Sequence, residues 1–439
     1  MISRRTVIAA VSLVALVAVA APARAEPIEI QWWHAMGGQL GEKVNEIAGN
    51  FNKSQSQYKV VPVYKGTYTE TLTQAIAAFR AGQQPDIVQV FEVGTATMMA
   101  AKGAVYPVYQ LMADTGEKFD PTAFLGPVYG YYSTPDGKLL SMPFNSSTPV
   151  FYWNKEAFKK AGLDPEKGPK TWPDVADLAK KLLASGAQCG FTSSWQTWIQ
   201  LENFSAWHNQ PFATKENGFA GLDTQLIFNG PLQIRHIQQL ADWQKDKIFV
   251  YGGREDKPNA KFTSGECPML FGSSGAAGGF AKANISFGIG MLPYWPDVAG
   301  APQNSIIGGA TLWVLKNKPK EHYAGVAKFF TFLSSPEVQA DWHQATGYVP
   351  ITNAAYELAK QQGFYEKNPG RDIAVLQLNN KPPTPNSKGL RLGSYVQIRD
   401  VEDEELEAVW SGKKTPKEAL DDAVRRGNAL LRQFQSANE

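Results

Sequence analysis

Apolar and polar positions along this chain repeat with two periods, and each change of period marks a new element. Ile28-Glu29-Ile30-Gln31-Trp32 alternates as a strand does; Trp33-His34-Ala35 follows and gives way to the turn signal Met36-Gly37-Gly38. From Leu40 to Asn52 the apolar residues Val44, Ile47, Ala48 and Phe51 fall at helical spacing. Tyr58–Tyr64 predicts a second strand. Thr71–Ala81 predicts a helix with Leu72, Ile76 and Phe79 on one face, and Pro85–Phe91 a third strand running into Glu92. This β-α-β-α-β order predicts a mostly parallel sheet covered by helices. Ligands of such sheets sit beyond the carboxyl ends of the strands, where His34, Tyr68 and Glu92 would lie.

Two later stretches depart from this rhythm. Leu140–Phe144 and Val150–Asn154 are extended runs separated by Asn145-Ser146-Ser147-Thr148-Pro149, a composition that suits a crossing between two lobes. Ile306–Leu315 is apolar and rich in β-branched residues, with Gly308 and Gly309 at its entry. It reads as a buried return strand with a ligand against Gly309. Elsewhere the spacing predicts helices over 156–161, 172–185, 323–333, near 401–411 and 415–437, and a strand from Cys267 that ends in a small-residue loop at Gly275. Glu404, Glu405 and Glu407 read as a solvated helix face.

The first 25 residues follow another rule. Arg4 and Arg5 precede an apolar run from Val7 to Ala21, and Ala23-Arg24-Ala25 is a small-x-small cleavage pattern. Residues 1–25 read as a secretory leader, with the mature chain starting at Glu26. A membrane anchor is the other reading, weakened by the short apolar run and by Pro22. Ser3-Arg4-Arg5 matches only part of a twin-arginine signal, and no cysteine stands near the cleavage point, so a free periplasmic protein is expected.

Removing the leader takes away three arginines and no acids, so the formal charge falls from +2 to −1. A near-neutral exported chain is not built to coat nucleic acid or an anionic membrane. The remaining 414 residues suit two domains. Twelve tryptophans exceed what a core alone requires and point to a pocket with flat apolar walls. Cys189 and Cys267 allow one disulfide in an oxidising compartment, with burial as free thiols the alternative, and their spacing fits no metal motif.

Several short runs resemble one family. Pro85-Asp86-Ile87, Asn154-Lys155-Glu156, Lys170-Thr171-Trp172 and Gly347-Tyr348-Val349-Pro350 resemble the extracellular solute-binding proteins of carbohydrate-type ABC importers, the group of the maltose-binding proteins. Longer runs resemble the branch of that family that takes sn-glycerol 3-phosphate. They are Gly94–Ala100, Ile199–Trp207 and Lys388–Gly393, and the likeness extends in order over the mature chain. The resemblance implies an α/β, two-lobed periplasmic binding protein fold of type II, each lobe a mostly parallel sheet flanked by helices. With the crossings near residues 147 and 309, the lobes would be 26–147 with 308–350, and 148–307 with 351–439. It also implies a monomeric component that delivers sn-glycerol 3-phosphate, or a glycerophosphodiester such as glycerophosphocholine, to importer membrane subunits, with no catalysis, cofactor or metal. The ligand contacts it implies are Tyr68, Glu92, Ser147, Trp195, Trp198, Ser273, Gly309, Tyr348 and Arg399.

These residue types suit such a ligand. Arg399 offers a phosphate a fork of donors and a fixed charge, with Arg391 in reserve; its alternative is a surface ion pair with Asp400, Glu402 or Asp403. Gly309 would lend a backbone N–H that an anion can approach closely; Ser147, Ser273 and Tyr348 would lend neutral hydroxyls. Glu92 and Tyr68 would accept from substrate hydroxyls, and Trp195 or Trp198 would stack on carbon. For a quaternary ammonium head group, Trp153 and Trp207 would join them, and the small run Gly275–Gly279 would leave space. The rival reading is a secreted hydrolase using Glu92 and Glu202 as paired carboxylates. No Gly-x-Ser-x-Gly elbow, Walker-type loop or His-Glu-x-x-His motif supports it.

Overall fold

The computed structural model describes residues 26–439; the leader expected over residues 1–25 lies outside them. The described strands form two sheets. β1 (Ile28–His34), β2 (Tyr58–Tyr64), β3 (Ile87–Phe91), β4 (Val105–Tyr106), β5 (Met142–Ser147) and β10 (Gly308–Leu315) make the first, in the order β2-β1-β3-β10-β4 with β5 also on β10. β6 (Pro149–Asn154), β7 (Phe191–Ser193), β8 (Met269–Ser273) and β9 (Phe287–Gly290) make the second, ordered β7-β8-β6-β9.

The expected parallel arrangement holds within β2-β1-β3 and between β7 and β8. The strands that carry the crossings run antiparallel, with β10 on β3, β4 and β5, and β6 on β8 and β9. The chain leaves the first sheet through β5 and returns beside it through β10, so the two neighbours travel in opposite directions. Only a helical crossover would have made them parallel.

Only Thr148 separates β5 from β6. Its hydroxyl bonds Ser305 Oγ at 2.7 Å and the Ile306 carbonyl at 3.0 Å, tying the outgoing crossing to the returning one. Asn203 Oδ1 accepts from the Ile306 N–H, and Gln377 Nε2 donates to the Pro149 carbonyl. Buried backbone groups at the crossings thus find partners that a regular ladder would not have supplied.

Helices cover both sheets. The one over Tyr68–Arg80 starts three residues before the apolar spacing indicates. Thr67 and Glu70 form a reciprocal capping box that sets its first turn. The helices Tyr395–Trp410 and Pro416–Asn438 pack as a hairpin. The first of them starts six residues earlier than expected, so Arg399 is helical. Of the three acids expected to form a solvated face, Glu404 is exposed but Glu405 and Glu407 are not. Glu405 is buried between Lys414 (2.5 Å) and Arg426 (2.8 Å), and Glu407 takes a two-pronged contact from Arg254. The hairpin partner and the loop at Arg254 cover what the spacing left open.

Most tryptophans fill the interior rather than a pocket wall. Trp32 and Trp342 pack on Phe144, while Trp172, Trp243 and Trp295 stack together. Trp153 and Trp207 are buried with their indole N–H groups on the carbonyls of Pro165 and Leu292, so neither is free to face a ligand. Cys189 and Cys267 form a disulfide, with Cα atoms 4.9 Å apart, that ties the approaches to the neighbouring strands β7 and β8. Replacing both with serine should lower unfolding free energy by about 2–4 kcal/mol. In urea titrations the midpoint should fall; coincident curves for the two proteins would mean that the bridge carries no stability.

Candidate functional site

Between the carboxyl ends of the first sheet's strands and the facing loops of the second lies a cavity of about 360 Å³. All nine residues singled out from the sequence line it. From the first sheet come Tyr68, Glu92, Ser147 and Gly309, with Tyr348 from the extended stretch after helix Pro336–Thr346. From the other side come Trp195, Trp198, Ser273 and Arg399.

Tyr68 is placed by a buried polar chain. The Ala35 N–H donates to Gln89 Oε1, Gln89 Nε2 to Asn145 Oδ1, and Asn145 Nδ2 to the Tyr68 hydroxyl at 2.8 Å. The ring stacks on Phe91 with centroids 5.2 Å apart. The Tyr348 hydroxyl lies beside Tyr68 and Asn145, and its ring stacks on Trp342. Burial raises both phenols above their ordinary range, so both hydroxyls keep their protons.

Gly309 has φ +80°, and a Cβ there would stand 1.9 Å from the Asn145 carbonyl oxygen. Its glycine is therefore fixed by the β5–β10 contact, where the register shifts at the next pair, rather than by room for an anion alone. Ser147 ends β5 and is buried. Ser273 ends β8, and its Oγ accepts from the Gly275 N–H at 3.1 Å, which leaves the hydroxyl proton free to donate. The small residues after it have separate causes. A Cβ on Gly275 would meet the Tyr348 ring at 2.7 Å, and one on Gly278 the Ala345 carbonyl at 2.2 Å.

The two tryptophans differ. Trp195 sits at φ +45°, a costly conformation for a bulky residue, and its N–H donates to the Glu255 carbonyl. Its side chain is half-buried. Trp198 opens a turn of π-helix, Trp198–Asn203, and is buried against Gly308, where a Cβ would stand 2.4 Å from the ring. Gln196 ties this loop to the Arg399 helix, donating to Asp403 and accepting from the Trp410 indole.

The alternatives for Arg399 all placed its partner on the same helix, and none holds. Its Nε and Nη2 donate to Glu202 at 2.7 and 2.8 Å, and Nη2 also donates to Glu92 at 2.5 Å. Burial works against the guanidinium charge, but Glu202 and Glu92 outweigh it and hold the group firmly protonated. Burial raises the Glu92 carboxyl, and Arg399 opposes the rise. Glu402, one turn on, is fully buried with neither oxygen hydrogen-bonded; burial and the Glu202 charge push it far up, so it is a neutral acid.

Arg391 is not a second phosphate arginine. Its Nη2 donates to the carbonyls of Gly130, Tyr131 and Ser133, away from the cavity. His34 lies outside the cavity lining too. Burial lowers its ring to about 4, and Nδ1 accepts from the Met36 N–H. Sequence reasoning missed Glu202 as the partner of Arg399, Asn145, and the rim residues Glu255, Asp256 and Asn259. Glu202 carried a usable signal: it is the one charge inside the apolar run 198–207, where a lone acid needs a cation.

The profile of the bacterial extracellular solute-binding protein family matches residues 46–372. The chain is 58% identical over 413 residues to the sn-glycerol-3-phosphate-binding periplasmic protein UgpB of Yersinia pseudotuberculosis, covering 94% of each. It is 57% identical over 412 residues to the protein of the same name from Salmonella typhimurium, covering 93% of this chain and 94% of that relative. Among solved structures it shares its fold with UgpB from Mycobacterium tuberculosis in complex with glycerophosphocholine. The TM-score is 0.76 at 22% identity, over 93% of this chain and 99% of that one. It shares it also with maltose-bound T. maritima MalE3, at TM-score 0.74 and 18% identity, over 92% and 100%.

Replacing Glu202 with alanine leaves a buried guanidinium with one carboxylate instead of two. Glu202→Ala should destabilise the chain by about 3–5 kcal/mol, read as a lower urea midpoint. A change below about 1 kcal/mol would mean that Glu202 does not hold Arg399 in solution.

Proposed function

The chain belongs to the bacterial extracellular solute-binding proteins, and we propose that it captures sn-glycerol 3-phosphate in the periplasm and delivers it, as a monomer, to the membrane subunits of an ABC importer. The observation that carries this reading is the convergence, on one cavity between the two sheets, of neutral hydroxyl donors and an Arg–Glu pair.

The distribution of charge orients the ligand. Arg399 already gives Nε and Nη2 to two carboxylates, so it offers a phosphate little net field. The phosphate then falls to Ser147, Ser273, Tyr68, Tyr348 and the backbone at Gly309, and the glycerol hydroxyls to Glu92 and the remaining N–H groups of Arg399. This reverses the role that the sequence suggested for Arg399. Trp195 and Trp198 cover the carbon chain.

The lobes proposed are 26–147 with 308–350 and 148–307 with 351–439, hinged where Thr148 meets Ser305 and Ile306. A ligand touching both lobes binds the closed form better and shifts the population toward it. No catalytic step enters this reading, because the carboxylates a hydrolase would need both grip Arg399. A glycerophosphodiester is the second reading. A side cavity of about 300 Å³ adjoins the first through Gly275 and Ala276 and could seat a second ester group.

The test is calorimetric titration of the mature protein, refolded to strip carried ligand, with glycerol 3-phosphate, glycerophosphocholine and maltose. Glycerol 3-phosphate should bind, and Ser273→Ala should weaken it by roughly tenfold or more, the loss of one hydrogen bond to a charged group. Binding of the diester alone would move the substrate; binding of maltose alone would overturn the assignment.

A further inference from the structure

Resting on that reading of the site, we infer that the cavity accepts its phosphate ester only with a single negative charge. A monoester then binds as its monoanion, whereas a diester, with no second proton to lose, carries the accepted charge throughout. The argument starts from the count of charges at the ligand. Among the residues lining the cavity Arg399 is the one cation, and it lies between Glu92 and Glu202, so this trio carries one net negative charge before any ligand arrives.

The rim adds to that field. Glu255 and Asp256 line the cavity mouth. Glu70 and Asp400 face Glu255 from neighbouring elements, and Lys257 is the cation that opposes them. Arg254 is held by Glu407 and Arg391 by three backbone carbonyls; Arg371, half-buried beside Gly347 with one guanidinium nitrogen unpaired, lies outside the cavity lining. The remaining donors at the site, Ser147, Ser273, Tyr68 and Tyr348, are neutral. Such donors satisfy phosphate oxygens without cancelling charge, so a second negative charge would face the carboxylates uncompensated.

The groups packed around Arg399 do not alter this count by gaining a positive charge. Tyr131 and Tyr395 are buried phenols, and Glu402 is a neutral acid. Asp403 is raised to about 6, and burial also raises Glu92, Glu255 and Asp400; loss of a proton from any of them adds negative charge. His34 stays neutral above about 4.

A phosphate monoester loses its second proton near pH 6, whereas a diester has none to lose. Titrating the mature protein with glycerol 3-phosphate and with glycerophosphoglycerol, a diester with an uncharged head, separates ligand titration from protein titration, because the raised carboxyls of the protein act on both. Between pH 5.5 and pH 8 the ratio of the monoester Kd to the diester Kd should rise roughly 50- to 100-fold. At pH 8, comparing buffers of different ionisation enthalpy should show uptake of about one proton with the monoester and none with the diester. A ratio constant within threefold, or no proton uptake at pH 8, overturns the inference and leaves the transport reading standing. Failure of both ligands to bind at either pH removes the transport reading as well.

Discussion

The structure depends on one ion pair that joins its two halves. Glu92 stands where β3 of the first sheet ends, and Arg399 reaches it from the helix Tyr395–Trp410 on the other side of the cavity. A buried arginine with one distant carboxylate would be costly whenever the halves part. Glu202, two-pronged on the same guanidinium and on the same side as Arg399, removes that cost. If the lobes part as proposed, the cation keeps a partner when Glu92 moves away, and Glu92 is exposed to water rather than a buried charge being stranded. The arrangement suits a cleft that must open and close many times.

The same interaction decides how the cavity reads a ligand. An arginine free of carboxylates would pull hardest on the most negative ligand. An arginine chelated by two carboxylates becomes a rigid hydrogen-bonding surface of mixed sign, suited to hydroxyls. In the reading proposed above the phosphate is left to serines, tyrosines and backbone, which discriminate by geometry and proton placement more than by field strength. The Asn145–Gln89 chain behind Tyr68, the strained backbone at Trp195 and the close contact at Gly309 all hold this donor set in place.

Much of this was legible in the sequence, for physical reasons. Strands such as Tyr58–Tyr64 declared themselves because one alternating or β-branched run maps onto one element. The crossings at Ser147 and Gly309 stood out because small hydroxyl residues and paired glycines break the local pattern where two strands meet. Strand ends and the glycine pair pointed to Tyr68, Glu92 and Gly309, but the full set of nine came from likeness to a family, since no local rule predicts that Tyr68 and Arg399 meet. What stayed hidden was pairing across the fold. Sequence neighbours suggested Asp400, Glu402 or Asp403 for Arg399, whereas its partners stand 197 and 307 residues away. Glu405 and Glu407 misled in the same way, since the basic residues that cover them arrive from other segments. The tryptophans misled by composition, because most of them pack the two cores.

The most direct measurement is a crystal structure of the mature chain with glycerol 3-phosphate bound. The account predicts the phosphate on the hydroxyls of Ser147, Ser273, Tyr68 and Tyr348, the glycerol hydroxyls at Glu92 and Arg399, and the Arg399–Glu202 contact unchanged. A phosphate seated on Arg399 in place of Glu92 or Glu202 would contradict it, since the pair would then serve as a store of positive charge released to the ligand.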